Sequence, residues 1–433
     1  MMSRATRTRP SEADRPSAHP LSTDVPGSPQ SRLFLPLFVL SWFGLNLASS
    51  TIGGAAIPKT FAFLDDATKE VNLSIVTAVG GIAVIIITPL FGRMSDRTRS
   101  RLGIRRPWIL GGAIVGFAGV LVLAFGSSLW AIVLGWVIAQ TGFGATNAAV
   151  HALLADQIPA RIRARVSGIA SASASLALIV GAQIVAALPN DARWLWFVVP
   201  GAIGAVLAAL LFLGLRDIVR TEPREPWSWR DVLSTYWLSP RDHRDFFWAW
   251  LCRLFVTMSI FSIATYLLFF IIDRLGVPKE EASGVQATAL IVFTVGGLVT
   301  NILFGWISDR TGRRKTIVWI SCAFSVAGLL VAMFAPDTAV FLAAFALIGA
   351  AQGAYVSVDI ALMTEVLPHL RDAGKDLGIV ALSYQVPQFL VPMLAIPLLA
   401  IGGGSSNYTA LFAAAIVFGV IGGLAVLPIR SVK

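Results

Sequence analysis

Twelve long apolar stretches recur along this chain, and they leave its backbone few ways to fold. A hydrocarbon core about 30 Å thick takes roughly 20 apolar residues per helical span. No water reaches that core, so backbone N–H and C=O groups must bond within the segment, which a helix does by itself. The stretches fall at 33–57, 72–92, 107–126, 129–155, 164–188 and 194–215, then 246–272, 283–306, 315–335, 338–365, 376–400 and 407–429. Charged residues are 13% of the sequence, against roughly a quarter in a soluble domain. Lipid is therefore the solvent for most of the surface. The expected fold class is an all-α membrane protein with twelve transmembrane helices.

The net charge of +10 does not point to nucleic acid, because the basic residues sit in short loops between apolar stretches. Of the 34 lysines and arginines, 28 fall on one side, in the N-terminal tail, alternate loops and the C-terminal end. The other side holds Lys59, Lys69, Arg193, Arg274 and Lys279, and Arg253 lies inside a span. Such an excess marks the cytoplasmic side. The sequence reading is a multi-pass protein of the cell membrane with both termini cytoplasmic. Residues 1–32, rich in Arg, Ser, Pro and Asp, read as a disordered cytoplasmic tail. Two six-helix bundles are expected at 33–215 and 246–433, joined by a cytoplasmic loop at 216–245. There Trp227, Trp229 and Trp237 lie near arginines, which suits a segment along the membrane surface. Cys252 and Cys322 each fall within a span, so neither a disulfide framework nor a metal site is expected, and no cofactor.

The two halves repeat. Gly92-Arg93-Met94-Ser95-Asp96-Arg97 follows the second span, and Gly305-Trp306-Ile307-Ser308-Asp309-Arg310 follows the eighth. Ala152-Leu153-Leu154-Ala155-Asp156 with Pro159 aligns with Ala361-Leu362-Met363-Thr364-Glu365 with Pro368 at a nearly equal offset. Two matches in register imply a duplicated six-helix unit, hence two pseudo-symmetric halves. Repeats that meet at a midplane site are how many secondary transporters are built.

The second loop, Gly305, Asp309 and Arg310, then Gly312, Arg313, Arg314 and Lys315, resembles the loop signature of the major facilitator superfamily. The longer first loop, Ser95 to Leu110 with Arg105 and Arg106, is similar to the glycoside–pentoside–hexuronide:cation symporters and related sucrose/proton symporters. The Ala152 to Asp156 run and Gly378 through Gln388 resemble the same group. The resemblance implies an alternating-access carrier of a sugar or glycoside, with proton symport. It also implies a central cavity lined by spans one, four, seven and ten. Two positions depart from the pattern: the second span, taken as Val71 to Gly92, has no acid, and His151 stands where sucrose symporters have arginine.

Residue types inside the spans suggest where chemistry would sit. Trp136, Gln140, Asn147 and His151 share one helical face, and such a stripe is costly against lipid. Amides bind hydroxyls and an indole covers a sugar's apolar face, so these four are candidate solute-binding residues. Trp42 and Asn46 in span one, Gln352 and Tyr355 in span ten, and Tyr384, Gln385 and Gln388 in span eleven join them. Asp359 and Arg253 enter the membrane from the same side to similar depth, and either alone would be expensive there. They are expected to pair and, by protonation of Asp359, to couple proton to solute. The alternative for the same pair is a permanent structural bridge. His151 reads more simply as a hydrogen-bonding residue than as a proton relay.

The loop residues Gly92, Asp96, Arg97, Arg105, Arg106, Gly305, Asp309, Arg310, Arg313 and Arg314, with Asp156 and Glu365 at nearby helix ends, are expected to lock helix ends together. Asp156 should meet Arg105 or Arg106. Ser167, Ser171 and Ser175 read as a small-residue packing seam.

No phosphate-binding glycine loop, zinc-binding His-Glu pair or serine-hydrolase elbow is present, so an enzyme is not expected. The leading reading is a proton-coupled sugar importer whose partners are a small solute, protons and the bilayer, working as a monomer without nucleic acid. A drug/proton antiporter is the first alternative, though the fifth span lacks the proline such exporters carry. A transporter-like receptor or scaffold is the second.

Overall fold

The computed structural model describes residues 31–219, 243–366, 373–402 and 406–429. The tail expected at 1–32 lies almost wholly outside the described residues, as do Trp227, Trp229 and Trp237 and the side chain of Glu365. Among the described residues, twelve helices are long and apolar enough to cross a membrane. In chain order they are α1 Phe34–Leu64, α2 Lys69–Asp96, α3 Arg106–Phe125, α4 Leu129–Asp156, α5 Ala160–Ala187 and α6 Arg193–Gly214. The second six are α7 Arg244–Ala264, α8 Lys279–Thr311, α9 Arg314–Met333, α10 Thr338–Glu365, α11 Ala373–Leu399 and α12 Tyr408–Ala425. A short helix, Leu267–Asp273, carries α7 onward. The chain is a multi-pass membrane protein, and every expected span is present.

Local chemistry sets the helix ends. Ser128, Asp337 and Asn407 cap α4, α10 and α12, each side chain accepting the backbone N–H three residues on. Pro107 opens α3, where a missing N–H costs nothing. Gly312, at φ 64°, ends α8 in the left-handed region. Inside α1 a wider turn spans Ile52–Ala56, just before Pro58. A proline has no N–H to return to the carbonyl one turn back, and the Gly54 carbonyl instead accepts from Gln286 Nε2 of α8 at 2.9 Å.

Two helix boundaries differ from the sequence expectation. α1 continues to Leu64, which places Lys59 inside the helix, buried, with Nζ donating to the Val185 carbonyl. α2 begins at Lys69, so Glu70 lies in its first turn, and the second span does carry an acid. Both lysines had read as loop residues because a charge normally ends an apolar stretch.

Small residues bring helices together within each half, as expected in lipid, where close packing drives association. Gly112, Gly116 and Gly119 of α3 face Gly135 and Gly142 of α4, and Gly296 and Gly297 of α8 face Gly349 and Gly353 of α10. By contrast, Ser171 and Ser175 of α5 are exposed, so no neighbouring helix fills the seam expected there. Between the halves, α2 packs on α11 and α5 on α8. The hydrogen bonds and ion pairs found between the halves among the described residues gather at the end away from the basic loops, called here the distal end.

Candidate functional site

A cavity of about 280 Å³ lies between the halves. Its walls are mostly apolar, with Phe261 of α7, Phe293 of α8 and Phe345 of α10 among them. Its polar lining residues are Ser50 and Thr51 of α1, Thr257 of α7, Gln286 of α8, Gln352 of α10 and Tyr384 of α11, although the Thr51 hydroxyl itself is buried against Gly181. Tyr384 meets the Phe261 ring edge-on, with centroids 5.7 Å apart. The Gln286 amide is held by the Gly54 carbonyl, whereas Gln352 Oε1 is buried without a hydrogen-bond partner among the described residues.

Toward the basic end lies the expected ion pair. Arg253 Nη1 stands 3.1 Å from Asp359 Oδ2, and the Tyr355 hydroxyl donates to Asp359 Oδ1 at 2.9 Å. Both carboxylate oxygens thus have a partner. Thr257, one turn along α7 from Arg253, borders the cavity and back-bonds to the Arg253 carbonyl. On α10, Gln352, Tyr355 and Asp359 follow one another at helical spacing along one face. A narrow cleft within the second half is shared by Gln352, Tyr355 and Ser259, so Gln352 borders both cavity and cleft. The pair is not sealed off: the Arg253 side chain is 21% exposed, that of Asp359 7%.

The first-half stripe goes elsewhere. Trp136 is buried in a notch made by glycines of two other helices. A Cβ at Gly80 would lie 2.2 Å from its Nε1, and one at Gly53 would lie 3.0 Å from its ring. His151 stacks on Trp42, with ring centroids 3.9 Å apart, and Asn46 Nδ2 donates to the Trp42 carbonyl. Asn147 Oδ1 is buried without a hydrogen-bond partner among the described residues. None of Trp42, Asn46, Trp136, Gln140, Asn147 and His151 borders the cavity, and neither do Gln385 and Gln388. A helical face read from one span does not say which neighbour it meets. The cavity residues that sequence reasoning passed over, Ser50, Thr51, Thr257 and Gln286, are small or amide side chains that also occur in ordinary helix packing. The proline at 58 was the one available signal for Gln286, since it announces a free carbonyl.

The loop residues form a lock within the first half. The buried Arg105 guanidinium contacts Asp96 at 2.5 Å, Asp156 at 2.8 Å and Ser95 Oγ at 2.8 Å. It thereby ties the basic ends of α2, α3 and α4. Asp217 Oδ2 accepts from the N–H groups of Arg105 and Arg106 and so caps α3, while Arg106 lies over the Phe212 ring. The partner of Asp156 is therefore Arg105. In the second half Arg314 donates to the Ala361 carbonyl and Arg310 lies over Trp306. Asp309 is exposed and makes no ion pair among the described residues. Among the described residues, then, Asp96 is paired and its counterpart Asp309 is not. Arg105→Ala would remove the buried cation that ties Asp96, Asp156 and Ser95 together at the ends of three helices. Thermal unfolding in detergent should show a large drop for Arg105→Ala and almost none for Asp309→Asn. Equal melting points for the two variants would contradict the asymmetry.

The Major Facilitator Superfamily pattern matches residues 34–292 and 281–433. Among relatives, the α-ketoglutarate permease of Escherichia coli is 26% identical over 55% of this chain and 54% of its own length. The gentisate transporter of Corynebacterium glutamicum is 24% identical over 63% and 62%. A class H tetracycline resistance protein of Pasteurella multocida is 24% identical over 37% and 38%. The chain thus spans between about a third and two thirds of the length of these relatives. Among solved structures, the nucleoside transporter NupG, as its D323A mutant, gives a TM-score of 0.71 at 15% identity, covering 92% of this chain and 99% of that one. A bacterial homolog of the human lysosomal transporter Spinster, inward-facing and occupied, gives 0.70 at 16%, covering 92% and 97%. Identities this low speak for the fold alone. The family pattern, found in both halves of a chain with twelve spans, makes this protein a member of the Major Facilitator Superfamily.

Proposed function

We propose that this protein is a secondary transporter that carries a small amphipathic organic solute through its central cavity by alternating access, coupled to a proton held by Asp359. The observation that carries the reading is the Arg253–Asp359–Tyr355 cluster beside a cavity set between two repeated halves. A proton on Asp359 removes the charge that holds Arg253. The freed guanidinium can then turn toward the cavity or toward water, and α7 and α10 lose one of their ties. A buried charge pair that can be neutralised by one proton is a two-position element, which is what coupling requires. The excess of lysine and arginine in the loops on one side supports a cell-membrane carrier with both chain ends cytoplasmic.

The walls speak to the solute. Three phenylalanines and several aliphatic side chains favour a ring or hydrocarbon body, and two amides, a phenol and the hydroxyls of Ser50 and Thr257 can fix a few polar groups. A sugar or glycoside is the second reading, supported by Gln286 and Gln352 as hydroxyl partners and by rings able to cover a pyranose face. Relatives named for tetracycline resistance make drug/proton antiport the alternative on the same fold.

Proteoliposomes loaded in turn with aromatic acids, polyols, sugars and tetracycline-like compounds would separate these readings, with and without a proton gradient. Gradient-driven accumulation of an aromatic acid is the expected result. Accumulation of sugars alone would select the second reading, and gradient-driven exit would select antiport. A panel insensitive to the gradient would remove proton coupling from the proposal.

A further inference from the structure

At the distal end the halves meet through a cluster of ionisable side chains that the Asp359 mechanism does not use. Lys69, buried in the first turn of α2, donates to Asp66 at 2.8 Å and, across the halves, to Asp273 at 2.6 Å. Lys279, at the start of α8, reaches back to Asp66 at 2.9 Å. The hydroxyl of Tyr408, the first residue of α12, lies 2.6 Å from Asp273 Oδ2 and 3.1 Å from Glu70 Oε1. Glu70 itself is 2% exposed, and its Oε2 has no hydrogen-bond partner among the described residues. Next to it the Ser74 hydroxyl bonds to Tyr266 and to the Glu70 carbonyl, so neither is directed at the carboxyl. Arg274, Glu280 and Glu281 at the same end are exposed.

Proton and charge counts point the same way. A phenol has one proton, and the shorter contact assigns it to Asp273. The contact between Tyr408 and Glu70 then needs a proton of its own, which the carboxyl of Glu70 can supply by donating to the phenolic oxygen. Lys69 and Lys279 balance Asp66 and Asp273. Hydrogen bonds from both lysines hold the Asp66 carboxyl below the usual carboxylate range, so it stays charged. An ionised Glu70 would leave the cluster with one excess negative charge, on a buried side chain with one oxygen unpaired, which is costly.

We propose that Glu70 is a second proton-binding site, protonated while the distal end is closed and deprotonated when the halves part there. Tyr408, which bonds the Glu70 carboxyl, and Asp273, whose negative charge opposes ionisation of Glu70, both belong to the second half. Opening the distal end removes them and lets water reach the carboxyl, which then releases its proton to that side. Proton release thus belongs to distal opening, and binding to distal closure. The inference stands apart from the role of Asp359 and is tested apart from it.

The test uses the full chain in nanodiscs, with Cys252 and Cys322 changed to alanine. Spin labels go on Ser127→Cys and Glu281→Cys, both exposed at the distal end of opposite halves. Between about pH 5 and pH 9 the ratio of long-distance to short-distance populations should rise about tenfold, as one linked proton bound about tenfold more tightly by the closed state predicts. Glu70→Gln, which keeps the neutral shape and can still donate to Tyr408, should hold the short distance at both ends of that range. The pH response should persist in Asp359→Asn. Tyr408→Phe, which takes away the acceptor of the Glu70 proton, should move the transition to lower pH. A wild-type protein blind to pH would overturn the proposal. So would Glu70→Gln titrating as wild type does, or opening at every pH as it must if the carboxylate's charge holds Lys69. An unmoved transition in Tyr408→Phe would count equally against it.

Discussion

Asp359→Asn should abolish proton-driven accumulation of the solute while leaving exchange of solute across the membrane intact. A gradient of one pH unit is worth about 1.4 kcal/mol per proton. A one-proton symporter can therefore hold the solute about tenfold above equilibrium for each unit, and a variant without the titrating group holds it at equilibrium. Asparagine preserves the size of the side chain and can still accept from Tyr355, so the cavity wall borne by Gln352 and Tyr384 keeps its shape. Counterflow, in which labelled solute enters in exchange for unlabelled solute, needs the cavity but not the proton, and should survive. Arg253→Met serves as the complement. It leaves Asp359 buried without its cation, a loss that costs several kcal/mol if the charge remains. The carboxyl should then hold its proton throughout the cycle, which ends accumulation by the opposite route. Full accumulation by Asp359→Asn at every gradient would reduce the pair to a structural bridge.

That pair was legible in the sequence, and the reason is physical. Two ionisable residues inside spans have few affordable partners, and their distance from the same membrane face limits the choice to groups at equal depth. Arg105 with Asp156 was legible in the same way, as a basic loop residue beside an acid at a helix end. The span positions were legible because the thickness of the hydrocarbon core fixes their length. The polar stripe of α4 was a different problem. Its side chains were correctly grouped on one face, but the notch that receives Trp136 is made by Gly53 and Gly80 of α1 and α2. A glycine shows nothing in sequence of what will lie against it. The cavity wall was hidden for a related reason, since Phe261, Phe293 and Phe345 read like residues that face lipid. The distal cluster was lost at a boundary. Lys69 and Glu70 ended an apolar stretch, and only the folded halves show that Asp273 and Tyr408 neutralise and bond them.

Gly353→Val should unfold the second half, or leave too little folded protein to purify. A Cβ at Gly353 would lie 1.9 Å from the Gly297 carbonyl oxygen and 2.4 Å from Thr300 Oγ1, and one at Gly349 would lie 2.1 Å from the Phe293 carbonyl oxygen. Backbone atoms cannot turn aside as a flexible side chain can, so α8 and α10 must separate. Separation also breaks the hydrogen bonds from Thr300 to the Ala350 carbonyl and from Asn301 to the Gly353 carbonyl. Overpacking of this kind costs about 1–3 kcal/mol and sometimes more, and the lost hydrogen bonds add about 1 kcal/mol each. Gly284→Ala, on the same α8 with nothing within 4 Å of the added Cβ, should melt at or slightly above the wild-type temperature, because alanine favours the helix. The comparison reaches beyond stability, since α10 also carries Gln352, Tyr355 and Asp359. If Gly353→Val folded and melted like Gly284→Ala, α8 and α10 would not cross this closely. The placement of Asp359 beside Arg253 would then lose the packing that fixes it.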